Sequence, residues 1–372
     1  MTQVKYFWNY IKNPTTLIKH IGEKMKIGFL INDFETERPR YTTMRLSQAA
    51  INAGHDVWIM DVGGLSYDVD DLIKAHARKV KGKKYKSLDV HLKDLKDPKK
   101  HIIERISIDQ LDVLMLRNDP ASEQSNRAWA RNVGINFGRI ATKHGVIVLN
   151  DPNGLSKASN KLYSQEFPEE LRPKTLITRN REEIKAFAKK FEKIVVKPIS
   201  GSGGQNVFLL EKTDISNINQ IIDTVSRAGY VIAQEYVPEA AEGDTRLFLV
   251  NGVPLKHRGK YAAARRIRSP DDLRSNIHAG GTIAPATVTP EMLKIAEMVR
   301  PKLVQDGMFF VGLDIVGTKI LEINVFTPGG LGTASKLEGL NFTKVVLNAI
   351  ERKVNYMQYY KRKFNNVELA TL

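Results

Sequence analysis

Apolar runs alternate with helical periodicity along the first 150 residues. Met25-Lys26-Ile27-Gly28-Phe29-Leu30-Ile31 reads as a buried strand. Residues 40–54 follow with helical spacing and close on Ala53-Gly54, a helix stop signal. Val57-Trp58-Ile59-Met60 is a second strand, and Asp61-Val62-Gly63-Gly64 is a loop. Leu111–Leu116 is a third strand, ending at Arg117-Asn118-Asp119-Pro120. A helix near 124–143 leads to a fourth strand, Val146–Leu149. Strands and helices in this alternation predict a doubly wound α/β domain over residues 25–149. No GxGxxG motif follows the first strand, which disfavours dinucleotide binding.

The rhythm changes at the turn Asn150-Asp151-Pro152. A short helix carrying Lys161, a helix over 182–192 and the strand Ile194–Pro198 come next. Beyond a glycine-rich loop lie a strand over Asn206–Leu210, a helix near 215–228 and the strand Tyr230–Glu235. Residues 244–256 and 309–325 read as antiparallel hairpins. The expected division is 150–232 and 233–356 as two further lobes, with 357–372 as a tail.

Charge alters this picture in two places. Lys and Arg exceed Asp and Glu by 16. Residues 74–100 hold eleven Lys/Arg against three Asp, and residues 1–26 hold five Lys against Glu23. The first block reads as a solvated basic insertion. The N-terminal 24 residues place Tyr6, Phe7, Trp8 and Tyr10 among lysines. Contact with a membrane surface and packing on the body or a sister subunit are both open uses of that segment. The spacing of a nucleic-acid module is absent, so no nucleic-acid partner is expected. With no cysteine in the chain, disulfides and thiolate metal sites are excluded, and a reducing cytoplasm fits.

Two hairpins carry the chemistry. Ser200, Gly201, Ser202, Gly203 and Gly204 lie between strand patterns rather than before a helix, so the loop would fold over phosphates as a flap. Lys197 ends the apolar run before it, where a cation is expensive without an anionic partner. In the second hairpin, Glu322 and Asn324 are two apart and share one face of a strand. An odd number of residues in the connection would set Asp314 opposite Glu322. Three hard oxygen donors in an apolar hairpin suit Mg²⁺. Arg117, at the end of the third strand, and Thr327, in the turn after Asn324, are candidate substrate contacts.

Taken together, these motifs resemble the ATP-grasp superfamily and, within it, the bacterial glutathione synthetases. The resemblance spans residues 25–355. Its most specific stretches are Phe310-Val311-Gly312-Leu313-Asp314-Ile315 with Glu322-Ile323-Asn324-Val325. Ser159-Asn160-Lys161-Leu162-Tyr163, Thr175–Asn180 and Arg274-Ser275-Asn276 before Gly280-Gly281 add to it. The fold implied is two α+β lobes holding a nucleotide, preceded by a doubly wound domain. By the same resemblance, Lys161 and Lys197 hold nucleotide phosphates, and Gln234, Glu235, Tyr236 and Val237 read adenine. Asp244 and Arg246 form an Asp-x-Arg pair, and Arg266 lies near the transferred phosphoryl group. Arg274, Asn276, Gly280 and Gly281 belong to the acceptor region. Asp314, Glu322 and Asn324 bind magnesium, with Mn²⁺ as a substitute.

The activity implied is ATP-dependent joining of γ-glutamylcysteine and glycine through an acylphosphate, in a homo-oligomer. Two departures mark the substrate side. The loop Asn32–Arg40 matches no family pattern, and Thr327-Pro328-Gly329-Gly330-Leu331-Gly332 is unusually rich in glycine. A ligase for another amino acid or peptide is therefore one alternative. A non-catalytic ATP-binding protein docking nucleic acid or membrane is another.

Overall fold

A computed structural model describes residues 24–123, 125–201, 203–211, 217–267, 282–360 and 364–372. The N-terminal extension up to residue 23, Ser202, Arg274, Asn276, Gly280 and Gly281 lie outside the described residues.

The first sheet is built on β1 (Lys26–Ile31), β2 (Asp56–Asp61), β3 (Leu65–Tyr67), β4 (Ile73–Val80), β5 (His101–Ser107), β6 (Val113–Leu116) and β7 (Ile147–Leu149). Its order is β3-β4-β2-β1-β6-β7, with β5 on β4. β1 runs parallel to both β2 and β6, and β6 to β7. Helices α1 (Thr42–Ala53), α2 (Leu88–Lys96) and α3 (Val133–Lys143) pack around it. The strand order reverses at β1, so the loops after β1 and β6 open a crevice at their carboxyl ends.

The basic block is not a solvated loop. Residues 73–80 form β4, which pairs with β2, β3 and β5, and residues 88–96 form α2. Ile73, Ala75 and Ala77 alternate into the core while Lys74, His76 and Arg78 take the other face. Leu92 and Leu95 bury the inner side of α2.

The second sheet is antiparallel, in the order β10-β9-β11-β8. Its strands are β8 (Thr175–Thr178), β9 (Lys193–Pro198), β10 (Phe208–Glu211) and β11 (Val231–Glu235). A short helix, α4 (Pro152–Lys157), precedes it, and α5 (Arg181–Lys190) and α6 (Ile218–Ser226) cover one face. Ile194 and Val196 point into this lobe's own core, which leaves Val195 and Lys197 on the opposite face.

The third sheet runs β17-β16-β12-β18-β19. Its strands are β12 (Asp244–Val250), β13 (Val253–Pro254) at the edge, β16 (Ala263–Ile267), β17 (Thr282–Ala284), β18 (Phe310–Val316) and β19 (Lys319–Asn324). A two-stranded ribbon, β14 (Lys256–His257) with β15 (Lys260–Tyr261), lies between β13 and β16 in the chain. Helix α7 (Pro290–Gln305) buries Ile295, Val299 and Leu303 in one cluster with Leu247, Leu249, Val311 and Leu313. Helices α8 (Leu331–Glu338) and α9 (Phe342–Tyr359) share a core with α1 and β1, so the first domain and this lobe are fused. The expected tail is not loose. Helix α10 (Asn366–Thr371) buries Leu369 and Ala370, and Asn366 bonds both backbone groups of Val148 at 2.8 and 2.9 Å. No helix of the described residues is long and apolar enough to cross a membrane.

Candidate active site

A cleft opens between the second and third sheets, with the Asp119–Ala121 segment of the first domain closing one side. Lys161, Lys197, Ser200, Gly201, Gln234, Glu322, Asn324 and Thr327 all line it. Residues distant in the chain thus meet where the two hairpins face each other.

On the lysine side, β9 and β10 pair antiparallel, so the glycine-rich segment is a hairpin loop. Gly201, Gly203 and Gly204 have φ of 116°, 68° and 73°, a region that residues with a Cβ enter at a cost. Lys161 Nζ donates to Gly201 O at 2.5 Å, and the Lys161 N–H to Ile199 O at 3.0 Å, so the short turn 161–166 pins the loop's base. Lys197 Nζ donates to Gln234 Oε1 at 2.9 Å, and Gln234 Nε2 to Thr175 Oγ1 at 2.9 Å. Burial pushes the Lys197 ammonium down to about 8, against the pull of Glu322 and with added repulsion from Lys161. Burial also lowers Lys161, opposed by Glu322 and Asp119. Two cations with only distant carboxylate compensation make this wall a receptor for anions.

On the acidic side, Asp314 stands opposite Glu322, and Gly312 opposite Asn324. The turn itself has two residues, Gly317 and Thr318, because Val316 pairs with Lys319. The register then shifts between Asp314 and Ile315, so Leu321 is the extra residue that turns Glu322 onto Asp314's face. Arg246 grips Asp314 with both prongs, Nε to Oδ1 and Nη2 to Oδ2, each at 2.7 Å. Arg266 binds Asp244 at 2.6 and 2.8 Å and reaches Asp314 Oδ2 at 2.6 Å. Asp314 is 2% exposed. Burial pushes its carboxyl up, but Arg246 and Arg266 prevail and hold it at about 2. Arg266 is raised well above the ordinary guanidinium range by Asp314 and Asp244, against burial.

Asp244 and Arg246 therefore do not pair with each other. Each is bound across the sheet, and Arg266 joins the two pairs into one network. Asp244, Arg246, Arg266 and Asp314 lie outside the walls of this cleft. The expected hinge segment is also partly occupied. The Glu235 N–H donates to Lys174 O at 2.9 Å and the Tyr236 N–H to Lys193 O at 3.1 Å, leaving neither free for a ligand. Arg117 is 4% exposed and also outside the cleft walls. Its donors go to Thr43 Oγ1 at 3.2 Å, Phe326 O at 3.3 Å and Pro328 O at 3.5 Å, so it positions the segment that carries Thr327.

The donor set fits a magnesium ion. Among the described residues Glu322 has no hydrogen bond or ion pair, so both of its oxygens are open. Asn324 spends Nδ2 on Gly312 O at 3.4 Å and Asp314 Oδ2 at 3.3 Å, which leaves Oδ1. Asp314 Oδ1 receives one donor and keeps a lone pair. Hard oxygens in this number suit Mg²⁺ completed by phosphate and water.

Two features escape a reading of the sequence alone. Asp119 caps the turn after β6 and brings the first domain to the cleft, and the Arg117–Pro120 strand end was its signal. Glu37, in the unmatched loop, is 5% exposed with Oε2 buried and unpartnered. Burial pushes its carboxyl up to about 7, although Arg117, Lys96 and Arg38 pull the other way.

Solved structures share this architecture. D-cycloserine synthetase DcsG superposes with a TM-score of 0.57 at 15% identity, over 87% of this chain and 99% of its own. The ATP-grasp ligase PsnB, complexed with minimal precursor, Mg and ADP, superposes at 0.55 with 13% identity, over 88% and 98%. Fold and cleft define an ATP-grasp protein. The family model for the prokaryotic glutathione synthetase N-terminal domain matches residues 25–156, and the one for its ATP-grasp domain residues 160–339. Glutathione synthetase of Gloeobacter violaceus is 34% identical over 321 residues, 85% of this chain and 93% of that protein. Its counterpart in Synechococcus elongatus is 30% identical over 89% of this chain and 99% of its own. The chain belongs to the prokaryotic glutathione synthetase family and is an ATP-dependent ligase that forms C–N bonds.

Proposed function

We propose that this ligase joins γ-glutamylcysteine to glycine. The observation that carries the reading is the meeting of Lys161, Lys197 and the open carboxylate of Glu322 in one cleft. Lys161 and Lys197 bind the phosphates of ATP, and Ser200 to Gly204 close over them as a flap. Gln234 fixes Lys197, and the Val237 N–H is the backbone donor left for adenine. Asp314, Glu322 and Asn324 hold the divalent ion, Mg²⁺ or Mn²⁺, which supplies neutralisation of phosphate charge when bound.

The reaction has two displacements. A carboxylate oxygen of the dipeptide attacks the γ-phosphorus of ATP, and the bond to ADP breaks. The glycine nitrogen then attacks the acyl carbon, phosphate leaves with its electron pair, and the nitrogen loses a proton. No nucleophilic side chain takes part. Arg266, held between Asp244 and Asp314, stabilises charge on the transferring phosphoryl group, and Arg246 orients Asp314. Arg274, Asn276, Gly280 and Gly281 belong to the acceptor side, and Arg117 sets the position of Thr327. Closure of the flap excludes water from the acylphosphate. A homo-oligomer in the reducing cytoplasm completes the reading.

The test is ADP release with a panel of acids and amines. Stimulation by γ-glutamylcysteine plus glycine above all other pairs is expected. A different best pair would replace the proposed substrates and keep the ligase.

A further inference from the structure

Helix α8 begins four residues after Thr327, a wall of the cleft, and its first turn meets the first turn of α1. Arg45 of α1 lies against Gly332 of α8. A Cβ on Gly332 would sit 1.9 Å from Arg45 Nε and 2.2 Å from Cζ, so a side chain at 332 would displace the guanidinium from its present place. The electrostatics there are one-sided. Neither helix has an acidic residue in its first turn or a side-chain cap at its N-terminus. A cation among positive helix ends is unfavourable unless an anion joins it. No carboxylate is at hand among the described residues: burial lowers the Arg45 pKa, with no acid among them to pull it back.

The neighbouring polar atoms point the same way. Arg45 Nε, Thr42 Oγ1, Gln48 Nε2 and Ser335 Oγ are buried and unpartnered. Thr42 is 1% exposed. Thr42 and Gln48 stand one turn either side of Arg45 on the same face of α1, and Ser335 stands one turn beyond Gly332 on α8. Arg and Gln nitrogens only donate, and the two hydroxyls can donate. A buried donor without a partner is costly, and four of them on these two facing turns call for an acceptor.

We infer that Arg45, Thr42, Gln48 and Ser335 form a carboxylate-binding site between α1 and α8, which holds the non-reacting carboxylate of one of the two substrates. The planar fork of arginine matches a carboxylate, and the two hydroxyls and Gln48 complete its acceptor lone pairs. The site joins the two substrate-side departures of the sequence, the start of α1 after the unmatched loop and the glycine-rich turn. The identity of the anion rests on the ligase reading above; the existence of the site does not.

Two measurements separate these. In the first, the melting temperature is followed as sodium acetate replaces sodium chloride at constant ionic strength. Acetate raises it for the wild type and not for Arg45→Gln or for Gly332→Ala, whose Cβ displaces the guanidinium without removing its charge. Equal shifts in all three overturn the site. In the second, kcat/KM for γ-glutamylcysteine is compared with 4-aminobutanoyl-cysteine, which lacks the free carboxylate, and glycine with glycinamide. The wild type loses about ten- to a hundredfold on one truncated substrate. Arg45→Gln is slowed by that factor on the parent and no longer distinguishes the two, a pattern that a merely structural arginine would not produce. Retained discrimination in the variant overturns the site. No turnover of the parent pair by the wild type would instead remove the substrate reading, and the acetate titration still decides the site.

Discussion

The two hairpins that bound the cleft handle charge in opposite ways. On β9, Lys197 is a cation held down to about 8 by burial, with a neutral amide as its only direct partner among the described residues. On β18, Asp314 is more deeply buried yet held at about 2, because two arginines grip it. Lys197 is incomplete without a ligand, whereas Asp314 is closed behind the cleft by its arginines, and on its hairpin the open carboxylate is Glu322. Charge left uncompensated marks where a ligand binds. Charge closed into a network marks what holds the geometry.

That contrast is broken most strongly at Asp314. Asp314→Asn would leave Arg246 and Arg266 facing each other without the carboxylate between them. Removing one member of a buried ionic network costs about 3–5 kcal/mol. Turnover should fall by about a thousandfold or more, because Arg266 loses its orientation. Urea unfolding and ADP release measure the two losses. A wild-type unfolding midpoint would show that the network is not structural.

Lys197→Met should separate function from stability. ATP affinity is expected to fall by about a hundredfold, the worth of a charge-assisted contact to phosphate. Stability should not fall and should rise below pH 8. The pKa is lowered from 10.5 to about 8, so the unfolded chain holds this proton more readily. The cost of the charged form is therefore full below pH 8 and fades as pH climbs to 10.5. Melting curves across that range should converge at the alkaline end. A variant less stable at pH 7 would mean that Lys197 is a packing residue.

Glu322→Gln probes the open carboxylate on the acidic side. It makes no bond among the described residues, so melting should change little. The Mg²⁺ concentration for half-maximal turnover should rise about tenfold or more. An unchanged Mg²⁺ requirement would remove it from the metal set.

How much of this was readable beforehand differs between the same regions. Lys197 announced itself, because a lysine ending an apolar strand is locally anomalous. Glu322 and Asn324 were readable from the two-residue period of a strand. Their alignment with Asp314 was only conditional, since it depends on the bulge at Leu321, which no local residue type demands. The arginine network was out of reach: Arg246 and Arg266 find Asp314 across strands 68 and 48 residues away in the chain, and only sheet order brings them together. In the basic block, lysine density hid the alternation of Ile73, Ala75 and Ala77, which fill a buried strand face. Gly332 was visible as an oddity, but its cause is Arg45, in a helix of another domain.

Glu37→Gln tests whether the rule of uncompensated charge extends to the loop after β1. Its carboxyl is raised from 4.5 to about 7 by burial. Between those values the unfolded chain has lost the proton and the folded chain keeps it. Stability therefore falls as pH rises from 4.5 to 7 and is flat above. Glutamine cannot ionise, so the variant should match the wild type at pH 4.5 and exceed it at pH 8 by up to about 3 kcal/mol, the worth of a shift from 4.5 to about 7. A variant that is less stable at pH 8 would show that the ionised carboxylate is held by Arg117, Lys96 and Arg38 after all. In that case the loop belongs with the closed network of Asp314 and not with the open wall of Lys197.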